Sequence, residues 1–276
     1  MFLNALQIRT LLVALIGAVT LATLGCSTEI MPPDDALDDP DELRDAIETR
    51  LEQVDDARFH DVTMEYFGDG ERVRVRQLIL VERPDRLRVQ TRLPGSEEIL
   101  SLLVSDGDTF SLHDRDDNSY YTGAPTHHNI NRMLPVDLSG QDVVRVMLGG
   151  APWERLSRAD GEPTLDWDRS RGHYRYAIEE PGGHQLAMYV RHNDFAVVEL
   201  EELDADGDMV YAYATRDWSH HDGLEIPSYQ RFQWPDRDLD FSLEAGRTEI
   251  NVGFDSMLFS FPPPAGATIY DLDDQS

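Results

Sequence analysis

The chain has 276 residues and a formal net charge of −29 at pH 7, with 24 Lys+Arg against 53 Asp+Glu and no lysine among them. This excess of acid argues against nucleic-acid binding, which needs clustered cations against the phosphates, and a 41% hydrophobic share argues against intrinsic disorder. A mean hydropathy of −0.44 with one long apolar run excludes a membrane protein with many spans.

The first 25 residues have the pattern of a secretory signal peptide. A short start carrying Arg9 leads into an apolar stretch over residues 11–24, which is too short for a comfortable membrane span. The stretch ends in Thr23-Leu24-Gly25-Cys26, which resembles the lipobox of bacterial lipoproteins, although leucine is more usual at the position of Thr23. The resemblance implies that Cys26, the only cysteine, becomes diacylated and heads the mature chain. The alternative is a plain signal peptide followed by a buried cysteine.

Lipidation at Cys26 would attach the mature protein to a membrane through its acyl chains. Ser27, and not aspartate, follows the cysteine. By resemblance to the sorting rule of enterobacteria, this favours an outer-membrane lipoprotein that faces the periplasm. The next residues, up to position 40, carry prolines and acids without periodicity. We therefore predict that residues 26–40 comprise the lipidated cysteine and a flexible acidic tether.

Residues 41–276 have the pattern of a single domain. Apolar residues recur at helical spacing over residues 41–54 and predict an amphipathic helix. From Phe59 onward the apolar period is two, and turn signals about every ten residues predict about eleven antiparallel strands. A helical interruption is predicted within residues 127–148, where Ser139 can cap the second segment. The predicted fold is mainly β (α+β), with one curved sheet wrapped around helices.

Several of the predicted strands are apolar on both faces. The clearest cases are residues 78–81 and residues 99–104. A sheet covered on one side shows polar residues on the other. Apolar residues on both faces therefore indicate either two packed layers or a lined cavity, and ordinary core is the simpler interpretation.

The sequence contains none of the catalytic or cofactor motifs that carry a recognisable mechanism. A nucleophile elbow, a zinc-protease helix, a phosphate loop and a dinucleotide fingerprint are all missing. The pairs His127-His128 and His220-His221 point to opposite faces if they lie on strands, so neither predicts a metal site. Asp204 to Asp208 resembles the start of a calcium loop, but Thr215 stands where such a loop needs glutamate. We predict no catalytic residues, no metal and no cofactor.

Several segments occur in an order that resembles the LolA/LolB-like superfamily of periplasmic lipoprotein carriers and outer-membrane lipoprotein receptors. The similarity spans residues 41–273. It rests on residues 82–89, 103–110, 120–123, 129–135, 143–149, 223–227 and 259–267.

The resemblance implies a strongly curved antiparallel half-barrel with helices plugging the concave side and an apolar cavity that accepts acyl chains of lipids or lipoproteins. Such a cavity would be lined by Leu78, Leu80, Leu100 and Leu102. Leu93 would stand on a protruding, membrane-facing loop between the third and fourth strands, or would end its strand in the core. A soluble periplasmic carrier would be a further partner.

Three functions are compatible with these features. The first is an outer-membrane-anchored protein that binds lipid or lipoprotein acyl chains and takes part in lipoprotein localisation. The second is an envelope sensor or scaffold that binds a protein partner on the same fold. The third is a hydrolase of envelope polymers, which would need a carboxylate cluster inside a groove.

Overall fold

The computed structural model describes residues 29–68, 70–134 and 136–275. The predicted signal peptide and Cys26 lie outside these residues. The helices are α1 (Pro40–Leu51), α2 (His127–Met133), α3 (Gly140–Met147) and α4 (Trp153–Leu156), with 3₁₀ turns at Pro235–Arg237, Ser256–Phe259 and Asp273–Gln275. The strands are β1 (Asp56–Gly68), β2 (Glu71–Glu82), β3 (Arg86–Arg92), β4 (Ile99–Ser105), β5 (Phe110–Asp114), β6 (Ser119–Gly123), β7 (Pro163–Asp168), β8 (His173–Glu179), β9 (Gln185–Arg191), β10 (Val197–Leu203), β11 (Met209–His221), β12 (Leu224–Trp234), β13 (Leu239–Glu244), β14 (Arg247–Ile250) and β15 (Thr268–Asp271).

The strands form one large curved sheet that does not close. Its order is β15-β6-β5-β4-β3-β2-β1-β13-β12-β11-β10-β9-β8-β7, and β14 pairs with the first part of β1. All pairs are antiparallel except that β15 lies parallel to β6. The predicted half-barrel is therefore confirmed, with fifteen strands in place of about eleven. Strand β15 has only four residues, which is too short for its alternation to be recognised in the sequence.

Helix α1 has the predicted amphipathic character and begins with two local signals. The Asp39 side chain accepts a hydrogen bond from the Asp41 backbone N–H at 2.8 Å, and Pro40 occupies the first helical position. Leu43, Ile47 and Leu51 are buried on its inner face. The structure also corrects the predicted tether, because residues 29–39 make contacts with the domain that are described below.

The concave face of the sheet has two unequal halves. Helices α1 and α4 cover the half that includes β7, β8 and β11. There the Trp153 ring meets the Tyr176 ring edge-on at 5.8 Å, and the Arg155 guanidinium lies 4.2 Å from the centre of the buried Tyr211 ring. Helix α3 crosses β2 and β3 in the other half. Among the described residues, no helix is long and apolar enough to span a membrane.

The convex face of β2 to β4 is covered by the C-terminal segment that follows β14. Phe259 is fully buried there and packs with Leu80, Leu102 and Val104. The Arg88 side chain donates to the Leu258 carbonyl at 2.9 Å and fixes the segment to β3. The two apolar faces of β2 and β4 thus have different neighbours, since this segment covers one face and α3 covers the other.

Candidate functional site

An apolar cavity of about 620 Å³ lies between α3 and the concave face of the sheet. Its volume falls in the range of roughly 300–1,000 Å³ that is usual for small-molecule sites. Strands β1 to β5, β12 and β13 form its wall, and α2, α3 and the segment between them form its roof. Its lining residues are Met64, Tyr66, Val73, Val75, Gln77, Ile79, Leu87, Val89, Thr91, Leu100, Ser101, Leu103, Leu112, Asp114, Asp116, Met133, Leu134, Val136, Leu138, Val143, Val146, Met147, Phe232, Phe241 and Leu243.

Strand periodicity explains which side chains reach the cavity. On β2 the lining positions recur at intervals of two from Val73 to Ile79, and β3 repeats the pattern from Leu87 to Thr91. On β4 the pattern breaks, because Thr91 pairs with Ser101 and Arg92 pairs with Ile99. Leu100 is the extra residue of this β-bulge and therefore lines the cavity beside Ser101.

Of the four leucines predicted to line a cavity, Leu100 borders it. The prediction has to be corrected for Leu78, Leu80 and Leu102, which face the convex side of the sheet and pack in the cluster around Phe259. The physical reason is that successive side chains of a strand point to opposite faces of the sheet. All three leucines are direct neighbours of Ile79 or Leu103, which face the cavity, so they face the other side. The cavity-facing residues of β2 are one position away from those predicted.

The roof of the cavity is held in place by a partly buried polar contact between helices. The Glu48 side chain on α1 accepts hydrogen bonds from Arg145 on α3 and from the Trp153 indole on α4, both at 2.6 Å. Burial acts to raise the pKa of Glu48, but these two hydrogen bonds and the Arg145 charge outweigh it and lower the pKa. One carboxylate thus joins three helices and fixes the position of α3 over the sheet.

Both ends of α3 are fixed as well. The Ser139 side chain accepts from the Asp142 N–H at 3.2 Å, which confirms the predicted cap. At the other end, the buried Arg50 donates to the Leu148 carbonyl at 3.0 Å and to the Glu225 carbonyl on β12. Burial lowers the pKa of Arg50 to about 10. The guanidinium still carries its charge at neutral pH and ties the end of α3 to the sheet.

The polar lining residues gather toward one end of the cavity. Gln77 donates to the Thr91 hydroxyl at 3.2 Å. Ser101 and Asp114 lie farther toward the ends of β4 and β5, and Asp116 lies in the β5–β6 turn. Both aspartates are exposed. The β1–β2, β3–β4, β5–β6 and β12–β13 turns all lie at this end of the sheet, because antiparallel neighbours reverse direction. We call it the mouth end.

Apolar side chains are exposed around the mouth end. Phe67, Val73 and Leu93 are 42%, 40% and 49% exposed, respectively. Leu93 lies in the connection between β3 and β4, directly after the last residue of β3, so it does not end its strand in the core. Its role in contacting a membrane stays a prediction.

A second groove of about 340 Å³ adjoins the cavity and shares Tyr66, Met133 and Leu134 with it. Arg132 and Arg237 also line this groove. None of the described residues that line the main cavity is cationic. Among the described residues, no three His, Cys, Asp or Glu side chains are grouped so that they could hold a metal ion. The cavity can therefore hold an apolar body in its interior and a polar group at its mouth.

Sequence reasoning missed most of the cavity wall. Four lining residues lie on strands that the sequence predicts, and their apolar character at intervals of two was the signal that could have identified them. They are Val75, Ile79, Val89 and Leu103. Phe232 and Phe241 come from strands β12 and β13, whose place beside β1 depends on long-range pairing. No local pattern could have assigned them to the site.

The fold is similar to that of several solved structures. A DUF1329 family protein from Desulfovibrio piger matches with a TM-score of 0.56 and 10% identity, over 81% of this chain and 98% of that one. A LolA superfamily protein from Nitrosomonas europaea matches with a TM-score of 0.53 and 13% identity, over 82% and 99%. The fold of this chain is LolA-like.

A third match is a domain from Vibrio parahaemolyticus whose name places it among outer membrane lipoprotein-sorting proteins. It has a TM-score of 0.52 and 8% identity, over 80% of this chain and 97% of that one. No protein-family model and no curated protein matches the sequence. The predicted resemblance is thus confirmed for the LolA-like fold.

Proposed function

We propose that the chain is an envelope lipoprotein that binds an acyl chain of a lipid or lipoprotein in the cavity. The apolar lining under α3 is the observation that carries the proposal. Each buried methylene of an acyl chain contributes about 0.8 kcal/mol, so a dozen contribute on the order of 10 kcal/mol before the costs of binding. The exposed Asp114 and Asp116 at the mouth end suit an uncharged or cationic polar head that stays in water.

Binding an acyl chain in this way involves no bond chemistry. The proposed role is therefore that of a carrier or receptor and not of an enzyme. Anchoring to the outer membrane through lipidated Cys26, with the domain in the periplasm, belongs to the same proposal. The names of the Nitrosomonas and Vibrio proteins support an envelope location for a chain with this fold.

The test uses the unlipidated chain carrying Cys26→Ser and an uncharged fluorescent acyl chain, the methyl ester of cis-parinaric acid. We expect saturable binding by the parent chain and at least tenfold weaker binding by Val75→Trp, because Val75 lines the cavity and the indole would fill part of it. Arg74→Trp is the matched control, since Arg74 neighbours Val75 but is exposed on the other face of β2.

Circular dichroism of both variants verifies that the fold is kept. Binding that is lost in Val75→Trp and kept in Arg74→Trp supports the cavity as the site. Absence of saturable binding by the parent chain, or equal affinity of the two variants, would contradict the proposal.

A further inference from the structure

Residues 29–39, which we call the strap, are fixed to the β7–β8 edge of the sheet. The Ile30 backbone N–H donates to the Arg169 carbonyl at 2.8 Å, and the Trp167 indole N–H donates to the Ile30 carbonyl at 2.9 Å. Farther along, the Leu37 N–H donates to the Tyr174 hydroxyl at 3.1 Å. These three bonds join positions more than a hundred residues apart in the sequence.

Charged and apolar contacts add to these bonds. Arg169 pairs with Glu29 at 3.3 Å, and His192 lies 3.3 Å from the Asp35 carboxylate. The Ile30 side chain covers Gly172, where a Cβ atom would lie 2.9 Å from the Ile30 Cδ1 atom. The strap therefore holds a defined course from residue 29 to the start of α1.

The strap leaves the domain at the sheet end opposite the cavity mouth. The β12–β13 turn lies at the mouth end, and counting back through the antiparallel strands β11, β10, β9 and β8 places the β7–β8 turn at the far end. The twelve residues of β2, at about 3.3 Å each, correspond to ~40 Å between the two ends.

Only a short chain separates the strap from the proposed lipidation site. Four residues from Cys26 to Ile30 span at most about 13–14 Å. This length is well below the ~40 Å needed to reach from one sheet end to the other. Ile30 and Met31 are 46% and 63% exposed, so the part of the strap nearest to the anchor presents apolar side chains to its surroundings.

We propose that the strap end of the domain, with Ile30, Met31 and the β7–β8 turn, rests on the bilayer that holds Cys26, and that the cavity mouth points away from this bilayer. The inference rests on the proposed function for the lipid anchor. Its consequence is that an acyl chain enters the cavity from the aqueous side, delivered by a soluble donor. Leu93, at the mouth end, then faces this donor and not the anchoring membrane.

The experiment places the full lipidated chain on neutral phosphatidylcholine vesicles that contain nitroxide-labelled lipid. A single fluorophore is attached through Ser170→Cys in the β7–β8 turn or, as the matched control, through Glu98→Cys near the mouth. Both positions are exposed, and lipidated Cys26 offers no competing thiol. We expect the lipid to quench the label at position 170 severalfold more strongly than the label at position 98.

A third variant carries a twelve-residue Gly-Ser insertion between Thr28 and Glu29 in the Ser170→Cys chain. We expect this longer connection to abolish the excess quenching, because the domain can then turn freely. Equal quenching at both positions or stronger quenching at position 98 would overturn the proposed orientation, and excess quenching that survives the insertion would overturn the claim that the short connection sets it.

Vesicle flotation separates this inference from the proposed function. A full chain that does not float with the vesicles would overturn the anchor and the orientation together. A chain that floats and binds the acyl probe but is quenched more strongly at position 98 would overturn the orientation alone.

Discussion

Leu102 and Leu103 are neighbours on β4, and both are almost completely buried, but in different environments. Leu102 packs against the C-terminal segment, whereas Leu103 borders the cavity. Alternation predicts that the two side chains point to opposite faces. It does not predict which face is concave, because that depends on where α3 and residues 254–261 pack. The bulge at Leu100 is also invisible in the sequence, since it depends on how β3 and β4 pair.

Asp142 is a buried carboxylate whose ionisation opposes folding. It accepts backbone N–H groups of Arg155 at 2.8 Å and Glu154 at 3.2 Å at the start of α4. Burial raises the pKa of Asp142 to about 6, although these two bonds act to lower it. The ordinary value is about 3.9. As pH rises from 4 to 6 the unfolded chain therefore loses this proton first, and the stability of the folded state falls.

We predict that replacing Asp142 with asparagine removes this pH dependence. The free energy of unfolding of the parent chain, relative to Asp142→Asn, should fall by about 2 kcal/mol between pH 4 and pH 7, since two pKa units correspond to about 3 kcal/mol and part of this is already lost below pH 4. Urea unfolding at several pH values measures the difference. A difference that stays constant with pH would contradict the raised pKa of Asp142.

The strap and helix α1 differ in how far their structure depends on local residues. Prolines and acids without periodicity favour a flexible segment. The partners of the strap are a backbone carbonyl, an indole and a phenol that lie about 137 residues away in the sequence. No local sequence pattern predicts contacts over this separation. Helix α1 was predictable because its signals are local, namely Pro40 and apolar residues at helical spacing.

The contact between Ile30 and Gly172 gives a test of the strap. Gly172 has a φ of +68°, and a Cβ there would contact Ile30, whereas Gly95 has a φ of +76° with no atom within 4 Å of its Cβ position. Gly→Ala at either position carries a similar backbone cost of about 1–2 kcal/mol. Only Gly172→Ala should also release the strap.

Hydrogen exchange of the Ile30 and Leu37 amides measures this release. We expect faster exchange at both amides in Gly172→Ala and unchanged exchange in Gly95→Ala. The amides of β1 serve as an internal reference for global stability. Equal protection of the Ile30 and Leu37 amides in both variants would show that the strap does not depend on this contact.

At the scale of the whole molecule, the half-barrel could be predicted because many weak strand and turn signals occur in a consistent order. The extra strands and the division of the concave face depend on pairings such as β1 with β13 and β14. For β2 and β4, the sequence predicted either a second packed layer or a lined cavity against their apolar faces. Both occur, with the cavity on one face and the C-terminal segment on the other.

The charge of −29 also acts on the whole molecule. Like charges spread over the surface repel one another in the folded chain, and salt screens this repulsion as the Debye length falls from about 10 Å at 0.1 M to about 3 Å at 1 M. Salt also weakens exposed ion pairs, but each of these contributes only about 0–1 kcal/mol. The pairs of Arg155 with Asp137 and Glu202 are shielded, since the Arg155 side chain is 6% exposed.

We therefore predict that the Tm of the Cys26→Ser chain rises as NaCl increases from about 0.05 M to about 1 M. A variant that combines Asp45→Lys, Glu52→Lys and Glu98→Lys, all at exposed positions, should show a smaller rise because it carries less repulsion to screen. Differential scanning calorimetry measures both salt series, and equal osmolality of sucrose controls for effects of exclusion from the surface. A Tm that falls with NaCl, or equal salt dependence of the two chains, would mean that ion pairs outweigh repulsion.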